Sequence, residues 1–159
     1  ECPYNTIDKL LPKIQQQADI VFIDFHAEAT SEKIAMGWHL DGRVSCVFGT
    51  HTHIPTADER ILPKGTAYIT DIGMTGAHES VIGRGIESVL KSFRTRMPVP
   101  FEVATGDVKM NAVLVTVDSS TKKAEHIERV RIDAAPDASA DITRYDSDDG
   151  RPEYYNNFE

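Results

Sequence analysis

The sequence is poor in cysteine, and it has neither long apolar runs nor an excess of positive charge. Two cysteines among 159 residues cannot build a disulfide framework, so a disulfide-stabilised fold is excluded. No apolar run approaches the ~20 residues that a transmembrane helix needs, and the first residues contain neither a basic nor an apolar signal segment. These absences predict a cytoplasmic protein that makes no contact with a membrane.

Acidic residues outnumber basic ones, which gives a formal net charge of −8. Residues 134–159 hold seven acids and two arginines, so most of the net negative charge lies at the C-terminal end. An acidic protein disfavours broad electrostatic capture of duplex nucleic acid or anionic lipid. We therefore expect a folded domain at residues 1–133, an acidic and disordered tail at residues 134–159, and no duplex nucleic acid as a partner.

A continuous apolar run at residues 20–23 and a mostly apolar run at residues 44–48, which contains Ser45, flank a helical pattern at residues 31–40. Runs without polar alternation are typical of parallel strands that are buried on both faces. A strand, a helix and a strand with short joints form a βαβ unit with a right-handed crossover. The sequence therefore predicts an α/β fold with parallel strands, in which Ile34 and Trp38 of the helix face inward.

The remaining pattern predicts further helices and strands around this unit. Helices are expected at residues 5–17 and 86–96, a hairpin at 60–62 and 67–70, and strands at 101–104, 110–117 and 125–132.

Three histidines follow the two predicted parallel strands. His26 comes directly after the first strand, and His51 and His53 come after the second. Neighbouring parallel strands end at one edge of the sheet, and ligands bind at that edge in open α/β sheets. In an extended segment, side chains two residues apart point to the same face. The spacing therefore predicts a metal site formed by His26, His51 and His53.

Three imidazoles suit zinc, iron or manganese better than magnesium or calcium, which prefer oxygen ligands. One zinc ion would leave a fourth position for water, whereas two ions would need bridging carboxylates from elsewhere. No nucleophile elbow or phosphate-binding glycine motif is present, so acyl transfer and P-loop chemistry are unsupported. Other residues near this edge could orient the ligands or contact the substrate, although each also suits a cap, turn or surface position: Asp24, Glu28, Thr50, Asp71, Gly73 and His78. By contrast, His39 and His126 are expected at the surface.

Five segments between residues 24 and 76 form a recognisable set of motifs. They are residues 24–33, 41–45, 49–53, 56–60 and 70–76. This set resembles the bacterial YmdB-like metallophosphoesterases of the calcineurin-like superfamily, which are similar to 2′,3′-cyclic-nucleotide phosphodiesterases. The resemblance implies a layered α/β sandwich and a dinuclear site, with iron or manganese most often and zinc as a possibility. It assigns His26 and His51 to one ion and His53 to the other.

The resemblance also implies that a metal-bound hydroxide hydrolyses a small phosphoester, such as a 2′,3′-cyclic nucleotide. Members of that family begin with a half that supplies further metal ligands and a histidine that protonates the leaving oxygen, and none of those motifs occurs in this sequence. We therefore expect this chain to be the C-terminal portion of the domain, without the N-terminal βα units and the general acid, and to be weakly active alone. Two alternatives remain open: a truncated, non-enzymatic interaction or regulatory module that self-associates, and a hydrolase with one zinc ion bound by three histidines.

Overall fold

The computed structural model describes residues 1–134, in which three helices accompany two sheets. Its elements are α1 (Pro3–Ile14), β1 (Phe22–His26), α2 (Thr30–Leu40), β2 (Cys46–Thr50), β3 (Arg60–Ile61), β4 (Ala67–Ile69), β5 (Gly76–Ala77), α3 (Ile86–Thr95), β6 (Val108–Val117) and β7 (Ala124–Asp133). The predicted α/β class is confirmed. The predicted acidic tail lies outside the described residues except for Ala134.

The first sheet contains the predicted βαβ unit. Its strand order is β1-β2-β4-β3, with β1, β2 and β4 parallel and β3 antiparallel to β4. The register pairs Phe22 with Cys46 and His26 with Thr50, so β1 and β2 end side by side. The hairpin predicted around residues 60–70 is present as β3 and β4.

Strand β2 is buried on both faces, as its apolar run predicts. Val47 and Tyr68 face a core that includes Leu11 of α1 and Leu40 of α2. The alternate face packs Cys46 and its neighbours in β4 against β7; this second core consists of Cys46, Ala67, Ile69, Ala124 and Ile127. Cys46 is a free thiol, and burial raises its pKa to about 12, so it remains protonated inside the core.

Helix α2 packs on the sheet through a different stripe from the predicted one. Its buried residues are Lys33, Met36, Gly37 and Leu40, which recur at the i, i+3, i+4, i+7 spacing of one helix face. Trp38 is 50% exposed, so the prediction that it faces inward is wrong. Ile34 is partly buried and packs against the core.

The second sheet is antiparallel, with the order β5-β6-β7. The predicted strand at residues 101–104 is wrong, because Val103 forms only an isolated bridge with Arg84. Helix α1 begins at Pro3 and ends at Ile14, so it starts before the predicted residue 5 and ends before the predicted residue 17. Pro3 occupies the first turn, where its missing N–H costs nothing, and Pro12 lies inside the helix near its end. No helix in residues 1–134 combines the length and hydrophobicity that a bilayer span requires.

Candidate metal centre

His26 and His51 meet at the carboxyl edge of the parallel strands. His26 is the last residue of β1, and His51 directly follows β2, whose last residue pairs with His26. The Nδ1 atom of His51 lies 3.1 Å from the Nε2 atom of His26. The two ring centroids are 4.9 Å apart, and the ring planes cross at 85°. The sequence-based expectation that strand order brings these two imidazoles together is therefore met.

The ring of His26 is oriented by Thr50 and Asp24. The Thr50 hydroxyl donates a hydrogen bond to Oδ1 of Asp24 at 2.8 Å, and the same hydroxyl oxygen lies 3.0 Å from Nδ1 of His26. Because the hydroxyl has one proton, its oxygen must accept from the N–H at Nδ1 of the neutral ring. The Nε2 lone pair of His26 is then directed toward His51. A carboxylate behind an imidazole is the usual support of a metal-binding histidine.

The separation between the two ring nitrogens fits a shared cation. Metal–nitrogen bonds of this kind measure about 2.0 to 2.1 Å, so two ligands at ordinary coordination angles stand roughly 3.0 to 3.4 Å apart. The observed 3.1 Å falls in that range. A hydrogen bond from His51 to His26 also has this length, so the same arrangement accommodates a proton in the absence of a metal.

His53 does not join this pair. The backbone leaves the extended conformation after β2, with φ of 112° at His51 and 68° at His53. The prediction that these two side chains share one face assumed an extended backbone, and that condition is not met here. Nδ1 of His53 instead lies 3.3 Å from the carbonyl oxygen of Ile82. Within residues 1–134, no group of three or more His, Cys, Asp or Glu side chains is arranged to hold one metal ion.

Asp71 is fully buried and lies beneath residues 51–53, which we call the histidine segment. Its Oδ2 accepts hydrogen bonds from the backbone N–H of Thr52 at 2.9 Å and from the Thr52 hydroxyl at 2.7 Å. Its Oδ1 accepts from the N–H of Gly73, whose φ of 83° suits glycine. Burial alone would raise the pKa of Asp71, but hydrogen bonds from Lys33, Gly73 and Thr52 outweigh it and lower the pKa below its ordinary value.

Lys33 is a site residue that the sequence-based selection missed. Its Nζ atom donates to Oδ2 of Asp71 at 2.9 Å and to the carbonyl oxygen of Thr50 at 3.2 Å. The side chain is 1% exposed. One signal was available, because Lys33 shares the helical spacing of the buried residues Met36 and Leu40.

The other candidate residues differ in their connection to this edge. Nε2 of His78 accepts a hydrogen bond from the side-chain amide of Asn111, and the same amide donates to the carbonyl oxygen of Met74. The backbone N–H of Met74 in turn donates to the carbonyl oxygen of His53. His78 is thereby linked to the histidine segment through two intermediates. Glu28 is exposed and has no side-chain hydrogen bond within the described residues.

The two histidines expected at the surface lie away from this pair. His39 is partly exposed and lies 2.9 Å from a carboxylate oxygen of Asp8. His126 is exposed on β7 and lies 3.6 Å from Glu128.

Comparisons with known proteins place these residues in a family context. Residues 1–130 match the family model described as YmdB-like protein. The chain is 52% identical over 130 residues to a 2′,3′-cyclic-nucleotide 2′-phosphodiesterase of Bacillus subtilis (strain 168), covering 82% of the chain and 49% of that protein. It is 44% identical over 131 residues to a putative phosphatase/phosphodiesterase of Mycoplasma pneumoniae, covering 82% of the chain and 46% of that protein.

Two solved structures share the fold. A phosphatase from Mycoplasma pneumoniae matches with a TM-score of 0.76 and 43% identity, covering 82% of this chain and 46% of that one. A hypothetical protein from Thermus thermophilus matches with a TM-score of 0.78 and 41% identity, covering 85% and 52%. The chain spans about half the length of the curated relatives that it matches. From the motifs, the fold and these matches together, the chain belongs to the YmdB-like protein family.

Proposed function

We propose that this chain supplies histidine ligands to the metal centre of a phosphodiesterase that hydrolyses 2′,3′-cyclic nucleotides. The observation that carries the proposal is the pair His26 and His51, whose ring nitrogens converge at 3.1 Å at the ligand-binding edge of the sheet. The similarity to the Bacillus subtilis phosphodiesterase supports the reaction type and the substrate class.

The described residues fit such a centre through the orientation of their imidazoles. Nε2 of His26 and Nδ1 of His51 would bind one ion, and the ring of His53 would bind a second one through the nitrogen that does not face Ile82. Iron or manganese suits these ligands, and zinc is compatible with them. When bound, the ions would polarise the phosphoryl oxygens and stabilise the negative charge that develops during in-line displacement at phosphorus.

Thr50 and Asp24 act on His26 from behind. In the neutral ring, their hydrogen bonds place the proton of His26 on Nδ1, which leaves the Nε2 lone pair free to bind a cation. The carboxylate of Asp24 also fixes the orientation of the ring through the Thr50 hydroxyl, as carboxylates do behind metal-binding histidines. Neither residue needs to contact substrate to have this effect.

We further propose that this chain alone binds metal weakly and hydrolyses slowly. In residues 1–134 two imidazoles converge, but no three His, Cys, Asp or Glu side chains are grouped so that they could hold one metal ion. The remaining ligands, and the acid that protonates the leaving oxygen, would come from the half of the relatives that this chain does not match. The geometric requirement of a three-histidine zinc site is not met by the described residues, so the dinuclear alternative has the better support.

The experiment is a metal titration combined with a single-turnover assay. Mn²⁺ binding is measured for the wild-type chain, His26→Ala, His51→Ala and the control His126→Ala, which removes an exposed histidine from β7. We expect the first two variants to lose at least about tenfold in Mn²⁺ affinity, because one of two converging ligands is gone, while the control retains it. Equal affinity in all four proteins contradicts the metal centre.

The assay follows hydrolysis of a 2′,3′-cyclic nucleotide and of bis-(p-nitrophenyl) phosphate with added Mn²⁺. We expect a rate far below that of a full-length relative measured in parallel. A comparable rate contradicts the proposal that this chain lacks part of the machinery. Hydrolysis that does not depend on His26 or His51 contradicts their assignment to the site.

A second candidate function, a non-enzymatic interaction module, is favoured by the surface of α3. Three apolar residues of this helix, Ile86, Leu90 and Phe93, are exposed, and Phe93 is 73% exposed. Contiguous exposed apolar side chains are typical of protein interaction sites. Dimers in light scattering, together with no bound iron or manganese, would favour the module over the enzyme.

A further inference from the structure

We infer that Lys33 and Asp71 form a buried positioning pair that holds His51 in its metal-binding geometry, an inference that rests on the proposed function. Lys33 is 1% exposed and Asp71 is 0% exposed, and their charged atoms lie 2.9 Å apart. Neither belongs to the converging histidine pair. Their effect on the site passes through the backbone on both sides of His51.

The pair contacts the residue before His51 and the residue after it. Lys33 donates to the carbonyl oxygen of Thr50, and Asp71 accepts from the N–H and the hydroxyl of Thr52. The residues on both sides of His51, Thr50 and Thr52, are therefore held in place by hydrogen bonds to the pair. A shift of either anchor would change the direction of the imidazole relative to His26.

The backbone of His51 requires such support. Its φ of 112° lies in a region that residues with a side chain rarely adopt. A strained conformation persists only when the surrounding contacts determine it. Three hydrogen bonds act next to this strained residue: Lys33 donates one to Thr50, and Thr52 donates two to Asp71.

The Lys33 side chain reaches its partners by passing close to Gly49 of β2, where no side chain blocks it. A Cβ atom at Gly49 would stand 2.5 Å from Cδ of Lys33 and 1.8 Å from the carbonyl oxygen of Thr70. Any other residue at this position would therefore collide with the lysine and with the neighbouring backbone. Gly49 therefore leaves the space that Lys33 needs to reach Asp71, and the two charged residues contact the histidine segment.

The chemistry of the pair is suited to a position beneath cations. A lone buried ammonium would repel metal ions above it, whereas Asp71 cancels that charge and leaves directional hydrogen bonds. Buried ion pairs are often no more stabilising than apolar residues of similar size. A role in fixing geometry therefore explains this pair better than a role in stability alone.

The test separates geometry from stability. It compares the wild-type chain with Lys33→Met, with the double variant Lys33→Met/Asp71→Asn, and with the control Lys9→Met, which removes an exposed lysine of α1. Asparagine can still accept from Thr52, and no unpaired charge stays buried in the double variant. Three quantities are measured: the melting temperature, the ring ¹⁵N shifts of His26 and His51 without metal, and the affinity for Mn²⁺ below all melting temperatures.

We expect the double variant to remain folded, to show altered ring shifts for His51, and to bind Mn²⁺ at least about tenfold more weakly than wild type. Lys9→Met should match wild type in all three measurements. Wild-type ring shifts in the folded double variant overturn the inference, as does wild-type Mn²⁺ affinity. If the wild-type chain binds no Mn²⁺, the proposed function fails, and the ring shifts of the metal-free proteins alone decide whether the pair positions His51.

Discussion

The two sheets of this chain are built in different ways. The parallel sheet ends at bends that contain His51 and His53, both at positive φ, above a fully buried pair of opposite charges. In the antiparallel sheet, β6 and β7 pair almost without interruption from Lys109 with Asp133 to Thr116 with His126. Most of the charged residues of β7 are exposed. Two positive-φ histidines and a fully buried ion pair thus lie together at one edge of the parallel sheet.

The contrast concerns how each sheet holds its side chains in place. The antiparallel sheet packs against the parallel one through apolar residues, with Ala124 and Ile127 against Cys46. Its buried Lys109 pairs with the more exposed carboxylates of Asp107 and Asp133. At the edge near His51, packing alone would not fix the direction of an imidazole, and hydrogen bonds to buried charges supply that direction. The difference predicts that equivalent substitutions have unequal effects in the two sheets.

The largest effect is expected at Gly49, where the parallel sheet has no room for a side chain. A Cβ atom there would lie 1.8 Å from the carbonyl oxygen of Thr70, which is backbone and cannot move aside without breaking the sheet. We expect Gly49→Ala to reduce the free energy of unfolding by about 3 kcal/mol or more, measured by urea denaturation.

Gly85→Ala is the matched control for that substitution. The nearest atom to a Cβ at Gly85 is 3.6 Å away, which is an ordinary contact, and its backbone suits any residue. Because Gly85 precedes α3, alanine should cost less than about 1 kcal/mol. Equal losses at the two glycines would show that the close approach at Gly49 is not what limits the parallel sheet.

Much of the fold was predictable because it depends on local pattern. The apolar runs at residues 20–23 and 44–48 predicted the positions of two parallel strands. The predicted burial on both faces is correct for β2 and wrong for β1, where one face is exposed and Phe22 is 44% exposed. The meeting of His26 and His51 followed from strand order alone, because neighbouring parallel strands end at the same edge. Trp38 was misplaced, because the prediction followed the largest apolar residues of α2 rather than the stripe that ends at Leu40.

The rest of the site could not be predicted, because it depends on contacts between distant residues. The direction of His53 is set by backbone torsions that the N–H of Met74 and the carboxylate of Asp71 hold from another loop. Lys33 was passed over, because a lysine on a helix is normally solvated and its buried partner lies 38 residues away. Pattern predicts which residues reach an edge, and tertiary hydrogen bonds decide where their side chains point.

A moderate effect is expected from removing one hydroxyl beneath the histidines. Thr52→Val keeps the shape of the side chain but deletes its 2.7 Å hydrogen bond to Asp71. A hydrogen bond to a charged group contributes about 1.5 to 3 kcal/mol, and we expect a loss of that size in urea denaturation. Thr116→Val, on an exposed position of β6, should change stability by less than about 0.5 kcal/mol. A neutral Thr52→Val would mean that Asp71 does not anchor this segment.

A smaller effect, visible only in acid, is expected from Asp58. Burial raises the pKa of Asp58, but hydrogen bonds from Thr56 and Thr70 outweigh this and lower the pKa from its ordinary 3.8. Because the folded-state pKa is the lower one, the stabilisation is complete above pH 3.8 and is lost as the pH falls through the folded-state value. Between about pH 5 and pH 3, wild type should lose more stability than Asp58→Asn. Asp19→Asn corrects for the change in net charge, and parallel curves for all three proteins would contradict the prediction.

The smallest effect is expected from the partly exposed ion pair between β7 and the residue before β3. Arg129 of β7 donates from Nε to Glu59 at 2.9 Å, and the two side chains are 46% and 24% exposed. Water and salt screen charges in such positions, so a double-mutant cycle with Arg129→Gln and Glu59→Gln should give a coupling of about 0.2 to 1 kcal/mol that decreases with added salt. A coupling of several kcal/mol would mean that this pair is coupled as strongly as a buried one, despite the exposure of Arg129.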